Sequence, residues 1–148
     1  ETCCVVGASS VHADEASVAK LREIGRHLGL AFQIKDDLFD FEKVNLTGKP
    51  AGIDIKEQKM TLSLIHALTE ANPKQRKYII RTIKKHHDRP KKVQEVVDFV
   101  RHSGGLDYAR LRMEEHITKA KDLLYTFPGS DVRDSFESLL EFTVARKK

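Results

Sequence analysis

The chain has 148 residues, of which 32% are charged and 40% are hydrophobic. This length suits one ordinary domain, and the composition predicts a soluble globular protein rather than a disordered or membrane-spanning one. No transmembrane helix and no signal peptide are predicted from the sequence. The net charge of +4 favours anionic partners such as phosphates or acidic lipids, without choosing between them.

The first residues predict a helix that is buried. The chain begins with Glu1 rather than Met, as a processed or excised segment would, and the stretch to about Ser9 is small and apolar. The adjacent Cys3 and Cys4 lie about 3.8 Å apart between their Cα atoms, which is too close for an ordinary disulfide. We interpret them as a reduced pair, which suits a reducing cytosol and predicts a cytoplasmic protein.

Hydrophobic spacing and helix punctuation predict six further helices. Asp14 is a candidate N-cap for a helix that reaches about Phe41. A loop with Gly48 and Gly52 as breakers should follow over residues 42–56. The other helices are predicted over about 60–71, 73–87, 90–102, 106–127 and 131–145.

Dense helices with short connections predict an all-α helical bundle, and no alternating β-branched run argues for a sheet. Gly25 and Gly29 lie inside a predicted helix, where each costs about 1 kcal/mol relative to Ala. We expect both to permit close packing of helices, so that a Gly29→Leu substitution should destabilise the protein.

Residues 29–41 are the most informative stretch of the sequence. Four polar side chains in it fall at i, i+3, i+4 and i+7, which places them on one helix face: Gln33, Asp36, Asp37 and Asp40. A solvated acidic face is the simplest interpretation. However, the neighbouring residues are apolar almost all round the helix, which predicts burial, and buried carboxylates require a compensating cation.

Mg²⁺ is the cation that we expect, because it takes one or two carboxylates together with waters and substrate phosphate oxygens. A zinc site is not predicted, since the His residues are scattered and make no metal-binding pattern. Downstream, Lys49 and Lys59 could reach a diphosphate beside the metal. Taken alone they are ordinary exposed lysines, and Thr61 could simply cap the next helix.

These motifs together resemble one known family. Gly-Leu-Ala-Phe-Gln-Ile-x-Asp-Asp-x-x-Asp, then Gly-Lys-Pro-x-Gly-x-Asp and Lys-x-Thr-Leu, is similar to the second aspartate-rich region of trans-isoprenyl (polyprenyl) diphosphate synthases. The joint pattern is far more specific than the aspartates alone, and the similarity covers essentially the whole chain. The closing stretches, such as Ser-Gly-Gly-Leu-x-Tyr-Ala, most resemble bacterial long-chain members such as the octaprenyl diphosphate synthases.

The resemblance implies a fold and a metal site. Residues 1–148 would form the C-terminal half of a polyprenyl synthase domain, which is the C-terminal part of the all-α isoprenoid synthase fold, with the second aspartate-rich motif at 36–40. Asp36 and Asp40 would ligate one Mg²⁺ that bridges the allylic diphosphate. Asp37 would orient waters or the other ligands.

The resemblance also implies how substrates are bound. Gln33 would contact the substrate near the reacting carbon, and Lys49 and Lys59 would bind the allylic diphosphate. Asp54 would be the partner of a metal-bound water or of a lysine. The full-length protein would condense an allylic diphosphate with isopentenyl diphosphate to make a long-chain polyprenyl diphosphate, with no side chain here assigned as a catalytic acid or base.

The family's first aspartate-rich motif is absent, so the resemblance implies that this chain alone is an inactive half of a homo-oligomeric, dimeric enzyme. Three other functions are open. The chain could be a non-catalytic interaction or regulatory subunit of a heteromeric prenyltransferase, although such a subunit has no need of the charged motif. A terpene cyclase relative and a helical DNA-binding protein are less favoured still.

Residues 74–92 carry nine Lys and Arg against one acid, Asp88. A solvated surface is the favoured interpretation. Nucleic acid is not expected as a partner, because Tyr78 is the only aromatic residue in this stretch that could stack on a base. At most a weak association with an anionic membrane surface is expected.

Overall fold

The computed structural model describes residues 1–41 and 51–146 of the chain. This part holds no strand, so the all-α prediction is confirmed. Within it, no helix combines the length and the apolar character needed to cross a bilayer. The helices are α1 (Thr2–Ser10), α2 (Glu15–Phe39), α3 (Ile53–Lys56), α4 (Leu62–Glu70), α5 (Pro73–His86), α6 (Pro90–His102), α7 (Gly105–Leu124) and α8 (Asp131–Ala145).

Capping side chains and prolines fix where several helices begin. Asp14 accepts hydrogen bonds from the backbone N–H of Ser17 at 2.9 Å and from its hydroxyl at 2.7 Å, as the predicted N-cap should. Thr61 is the N-cap of α4, and its side chain accepts a hydrogen bond from the backbone N–H of Leu64. Pro73 and Pro90 stand in the first turns of α5 and α6, where a missing N–H costs no helical hydrogen bond.

The helices form two compact units, and the second covers residues 36–111. Helices α3 to α6 lie wholly within it and enclose its apolar core. The buried side chains of this core are Phe41, Ile55, Leu64, Ala67, Leu68, Ile79, Ile83, Val93, Val96, Val97 and Val100. The core therefore includes the residue that directly follows the aspartate stretch and the centre of the short helix α3.

The first unit comprises residues 1–35 together with residues 112–146. Helices α1 and α8 and the larger parts of α2 and α7 build it. The expectation that α1 is buried is wrong. Ala8 is buried, but other apolar residues of this helix are not, and Val6 is 60% exposed. Cys3 is exposed and Cys4 half-buried, and both are free thiols, as the sequence predicts.

Helix α2 is not buried all round, although its sequence predicts this. Ile24, Ala31 and Ile34 form a buried side, whereas Leu30 is 40% and Phe32 is 44% exposed. The reason is geometric: side chains that directly neighbour one another along an α-helix point in different directions, so one buried stripe leaves other apolar positions outside.

The two mid-helix glycines of α2 have different surroundings. A Cβ added at Gly25 would lie 2.8 Å from the Sγ of Cys4, so this glycine does permit the close approach of α1 to α2. A Cβ at Gly29 would meet nothing within 4 Å. The packing role expected of Gly29 is therefore wrong, and the expected destabilisation by Gly29→Leu loses its basis.

Gly105, at the start of α7, has the tightest surroundings of the glycines in the described ranges. A Cβ there would lie 2.3 Å from the backbone oxygen of the buried Ser63. We expect Gly105→Ala to lower the free energy of unfolding by about 1–3 kcal/mol, because a backbone atom must shift. Gly29→Ala, the same chemical change at an open helical site, should raise it by about 0.5–1 kcal/mol. Urea denaturation of both variants measures the difference, and equal effects would contradict it.

Two histidines meet inside the first unit. The Nδ1 atoms of His27 on α2 and His116 on α7 lie 2.9 Å apart, so one neutral ring donates to the other. Burial lowers the pKa of both rings, and the positive charge that His27 gains on protonation lowers the pKa of His116 further. Each ring therefore binds its proton less readily in the folded protein than in the unfolded chain.

This pair predicts a pH-dependent stability. Because the folded pKa values lie below the ordinary value of 6.5, the unfolded chain binds more protons as the pH falls through 6.5. We expect the free energy of unfolding to fall between pH 7.5 and pH 5.5, and His116→Asn to flatten this slope. His12→Asn at an exposed position is the control. An unchanged slope in His116→Asn would show that the pair does not carry the effect.

Candidate functional site

The aspartates predicted from the sequence lie at the C-terminal end of α2, within the second unit. Asp36 and Asp37 are half-buried residues of the last helical turn, and Asp40 follows the last helical residue, Phe39. The carbonyl end of a helix carries partial negative charge, so carboxylates are unfavourable there. Neighbouring like charges add to this cost, and the arrangement therefore favours a bound cation.

Asp40 is the most buried of the three, with 7% of its surface exposed. One carboxylate oxygen accepts the backbone N–H of Ile53 at 2.9 Å, and the other accepts that of Asp54 at 3.1 Å. The carbonyl oxygen of Asp40 also accepts the N–H of Gly52 at 3.1 Å. Asp40 thus satisfies the first amides of α3 from thirteen residues away in the chain.

The carboxyl of Asp40 experiences opposing effects. Burial raises its pKa, while the hydrogen bonds from Ile53 and Asp54 lower it, and burial is the larger of the two. The sequence predicts a buried carboxylate that requires a cation. Backbone amides supply part of that compensation, because the first N–H groups of a helix carry partial positive charge.

Gly52 lets the chain turn into α3. Its φ of +86° lies in the left-handed region, and a Cβ there would come within 2.5 Å of Val93 on α6. Only glycine meets both conditions without strain. The predicted loop over 42–56 therefore contains a one-turn helix, which is too short to produce a hydrophobic period in the sequence.

Lys59 lies beside this short helix. Its ammonium contacts Asp54 Oδ1 at 3.1 Å and Glu57 Oε2 at 2.6 Å, and these two carboxylates raise its pKa. The side chain of Lys59 is 59% exposed, while that of Asp54 is only 15% exposed. Asp54 therefore links the backbone contact with Asp40 to the accessible ammonium of Lys59; the role that the resemblance implies for Asp54, as partner of a metal-bound water or of a lysine, stays a prediction.

Two other predicted site residues, Gln33 and Lys49, are not among the contacts described so far. Gln33 is exposed on α2 within the first unit, three residues before Asp36. Lys49 lies outside the described residues, so its predicted contact with a diphosphate stays a prediction. The structure thus brings together Asp40, Asp54 and Lys59.

The donor set fits Mg²⁺ better than a metal held entirely by protein. Across residues 1–41 and 51–146, no group of three or more His, Cys, Asp or Glu side chains is gathered that could hold a metal ion. Mg²⁺ needs only one or two carboxylates, because waters and phosphate oxygens complete its octahedron. Asp36 and Asp40 carry the two carboxylates that the resemblance assigns to the metal, and this assignment stays a prediction. Each oxygen of the Asp40 carboxylate accepts one N–H and keeps a second lone pair.

Sequence reasoning missed one residue that supports the site. Arg101 on α6 donates from Nε to the carbonyl oxygen of Phe41 at 2.7 Å, and its side chain is only 13% exposed. This bond ties the chain directly after Asp40 to the core helix α6. No signal in the sequence reveals it, because the two residues are sixty positions apart.

Comparison with known proteins gives the family. The model of the polyprenyl synthetase family matches residues 1–100, which is more than half of the chain. The chain belongs to the polyprenyl synthetase family. The sequence-based recognition is therefore confirmed.

Two curated relatives illustrate the range of products within the family. A short chain isoprenyl diphosphate synthase of Methanothermobacter thermautotrophicus is 34% identical over 88% of this chain and 40% of its own length. An octaprenyl diphosphate synthase of Haemophilus influenzae is 35% identical over 89% of this chain and 40% of its own. The chain thus spans about two-fifths of the length of these relatives.

Solved structures agree on the fold. A geranylgeranyl pyrophosphate synthase from Bacteroides thetaiotaomicron matches 97% of this chain and 48% of its own, with a TM-score of 0.89 and 34% identity. A polyprenyl synthase from Caulobacter crescentus, described as complexed with calcium and isoprenyl diphosphate, matches 97% of this chain and 44% of its own, with a TM-score of 0.85 and 34% identity. The chain therefore has the helical fold of these synthases, as the sequence predicts.

Proposed function

We propose that this chain is the C-terminal half of a Mg²⁺-dependent prenyltransferase. The whole protein would condense an allylic diphosphate with isopentenyl diphosphate and release diphosphate. The observation that carries the proposal is the pairing of an acidic helix end with Lys59 through Asp54, in a chain of the polyprenyl synthetase family. Carboxylates for a metal and a cation for phosphate oxygens are the two groups that a diphosphate site needs.

In this proposal Asp36 and Asp40 hold the metal, Asp37 orients waters or the other ligands, and Asp40 also positions α3. When bound, Mg²⁺ would stabilise the negative charge that develops on the departing diphosphate. The carboxylate of Asp40 fixes α3, and α3 fixes Asp54 and hence the ammonium of Lys59. Each oxygen of Asp40 keeps a second lone pair, so this carboxylate can hold α3 and still bind the metal or a metal-bound water.

Lys59 must change partners to bind a diphosphate. Its contact with Glu57 joins two exposed groups, and such ion pairs contribute little free energy. A diphosphate oxygen can therefore replace Glu57 while Asp54 continues to orient the ammonium. Lys49 and Gln33 are proposed, by resemblance, to contact the diphosphate and the substrate near the reacting carbon.

The long-chain product stays a prediction. Relatives named for short-chain and for octaprenyl products match this chain almost equally, at 34% and 35% identity. A homo-dimer is likewise proposed. Exposed apolar side chains of the first unit support it, such as Val6 and Val11 at 60% and 73% exposure, because a second copy or further chain would shield them from water.

Calorimetric titration with Mg²⁺ and a non-reactive allylic diphosphate analogue tests the proposed site. We expect the wild-type chain to bind the analogue only with Mg²⁺ present. We expect Asp36→Asn/Asp37→Asn to weaken this binding by about tenfold or more, because charge-assisted contacts are lost.

Asp107→Asn is the matched control, since it makes the same change at a surface carboxylate that is 84% exposed on α7. Equal loss in this control would mean that overall charge, rather than the site, governs binding. Absence of Mg²⁺-dependent binding in a folded wild-type sample would contradict the proposal that this chain carries a working half-site.

A further inference from the structure

The outer side of α5 carries a row of exposed cations that the proposed site does not use. Their positions repeat at about one helical turn, so they share one face. The row extends about 17 Å along the helix at 1.5 Å per residue. We call it the basic stripe, and it consists of Lys74, Lys77, Arg81, Lys84 and Lys85.

The positive charge of the protein is concentrated around this stripe. Residues 74–92 hold nine Lys and Arg against one acid, while the other residues hold 17 against 21. The chain therefore has a net charge of +8 in this segment and −4 elsewhere, which gives the total of +4. A charge separation of this kind orients a protein on a charged surface even when the total charge is small.

The five side chains of the stripe form no ion pair within the part of the chain that the structure describes. No carboxylate of residues 1–41 or 51–146 lies within ion-pair distance of Lys74, Lys77, Arg81, Lys84 or Lys85. By contrast, the neighbouring Lys92 pairs with Glu95, and Arg76 donates to the carbonyl oxygens of Leu68 and Thr69. The cations of the stripe are thus held in solvent, where no bond must break before they meet an anion.

The surroundings of the stripe suit phosphate groups but not bases. A shallow groove beside Ile80 and the lysine stems contains no aromatic side chain. Tyr78 is the aromatic residue of α5, and its hydroxyl is bonded to Glu95, with the ammonium of Lys92 lying 5.3 Å from its ring centroid. Its ring is therefore already engaged, and the stacking platform that single-stranded nucleic acids require is missing.

We propose that the basic stripe docks this chain on a membrane surface rich in anionic phospholipids. A straight row of exposed cations on one helix matches a plane of headgroup phosphates, and each basic residue near such a surface adds to the attraction. The proposal depends on the stripe alone. Docking on a membrane would also serve the proposed reaction, since a polyprenyl product with a long apolar tail partitions into a bilayer.

Vesicle co-sedimentation tests the docking. The chain should pellet with vesicles of phosphatidylcholine and phosphatidylglycerol at 3:1, not with phosphatidylcholine alone, and binding should fall as NaCl rises from about 0.05 to about 0.5 M, since salt screens surface charges. The triple variant Lys77→Gln/Arg81→Gln/Lys84→Gln should lower the partition coefficient by about tenfold or more, given the contribution of each basic residue near the surface.

The matched control removes three cations that already form ion pairs in the first unit, through Arg22→Gln/Arg26→Gln/Arg112→Gln. It changes the net charge equally, and we expect less than about a twofold effect because surface ion pairs are weak and screened. Circular dichroism melting establishes that both variants are folded.

Three results would overturn the proposal. The first is equal binding to neutral vesicles, which would indicate apolar adsorption. The second is an equal loss in the two triple variants, which would indicate total charge rather than the stripe. The third is tighter, stripe-dependent binding of a single-stranded oligonucleotide at the same salt concentration, which would assign the stripe to nucleic acid. Because no diphosphate enters this assay, its failure would leave the proposed reaction untouched.

Discussion

The bonds from the carboxylate of Asp40 to the amides of Ile53 and Asp54 hold the candidate site together. Hydrogen bonds to a charged group are worth about 1.5–3 kcal/mol each, and losing them would leave a buried anion without compensation. They join the end of α2 to α3 across the intervening chain. Asp54 then carries its own carboxylate to Lys59. The position of the Lys59 ammonium thus depends on the buried carboxylate of Asp40.

This interaction distinguishes Asp40 from the other two aspartates. A carboxylate whose oxygens both accept backbone N–H groups is held rigidly in one orientation. Asp36 and Asp37 lie half-buried on the last turn of α2. Arg101 fixes the following residue to α6 through the carbonyl of Phe41. The acidic end of α2 is therefore anchored from two sides before any ligand binds.

The sequence predicts the helices well because their signals are local. Asp14 and Thr61 are recognisable caps, and the predicted bounds agree with the observed helices to within three residues. Burial is harder to predict, because the sequence of α2 does not show which of its apolar residues face other helices. Leu30 and Phe32, for example, are exposed. Gly29 and Gly25 look alike in sequence, and only the position of α1 distinguishes them. The aspartate motif indicates the family, but the long-range bond from Asp40 to α3 has no local signal.

Amide hydrogen exchange tests the role of Asp40 most directly. In the wild-type chain we expect the amides of Ile53 and Asp54 to exchange slowly. In Asp40→Asn they should exchange about tenfold faster or more, as the loss of about 1.4 kcal/mol or more per bond requires, while core amides such as that of Val96 keep their rates. Asp107→Asn should leave both amides unchanged. Unaltered exchange at Ile53 and Asp54 in Asp40→Asn would contradict the conclusion that this carboxylate holds the site together.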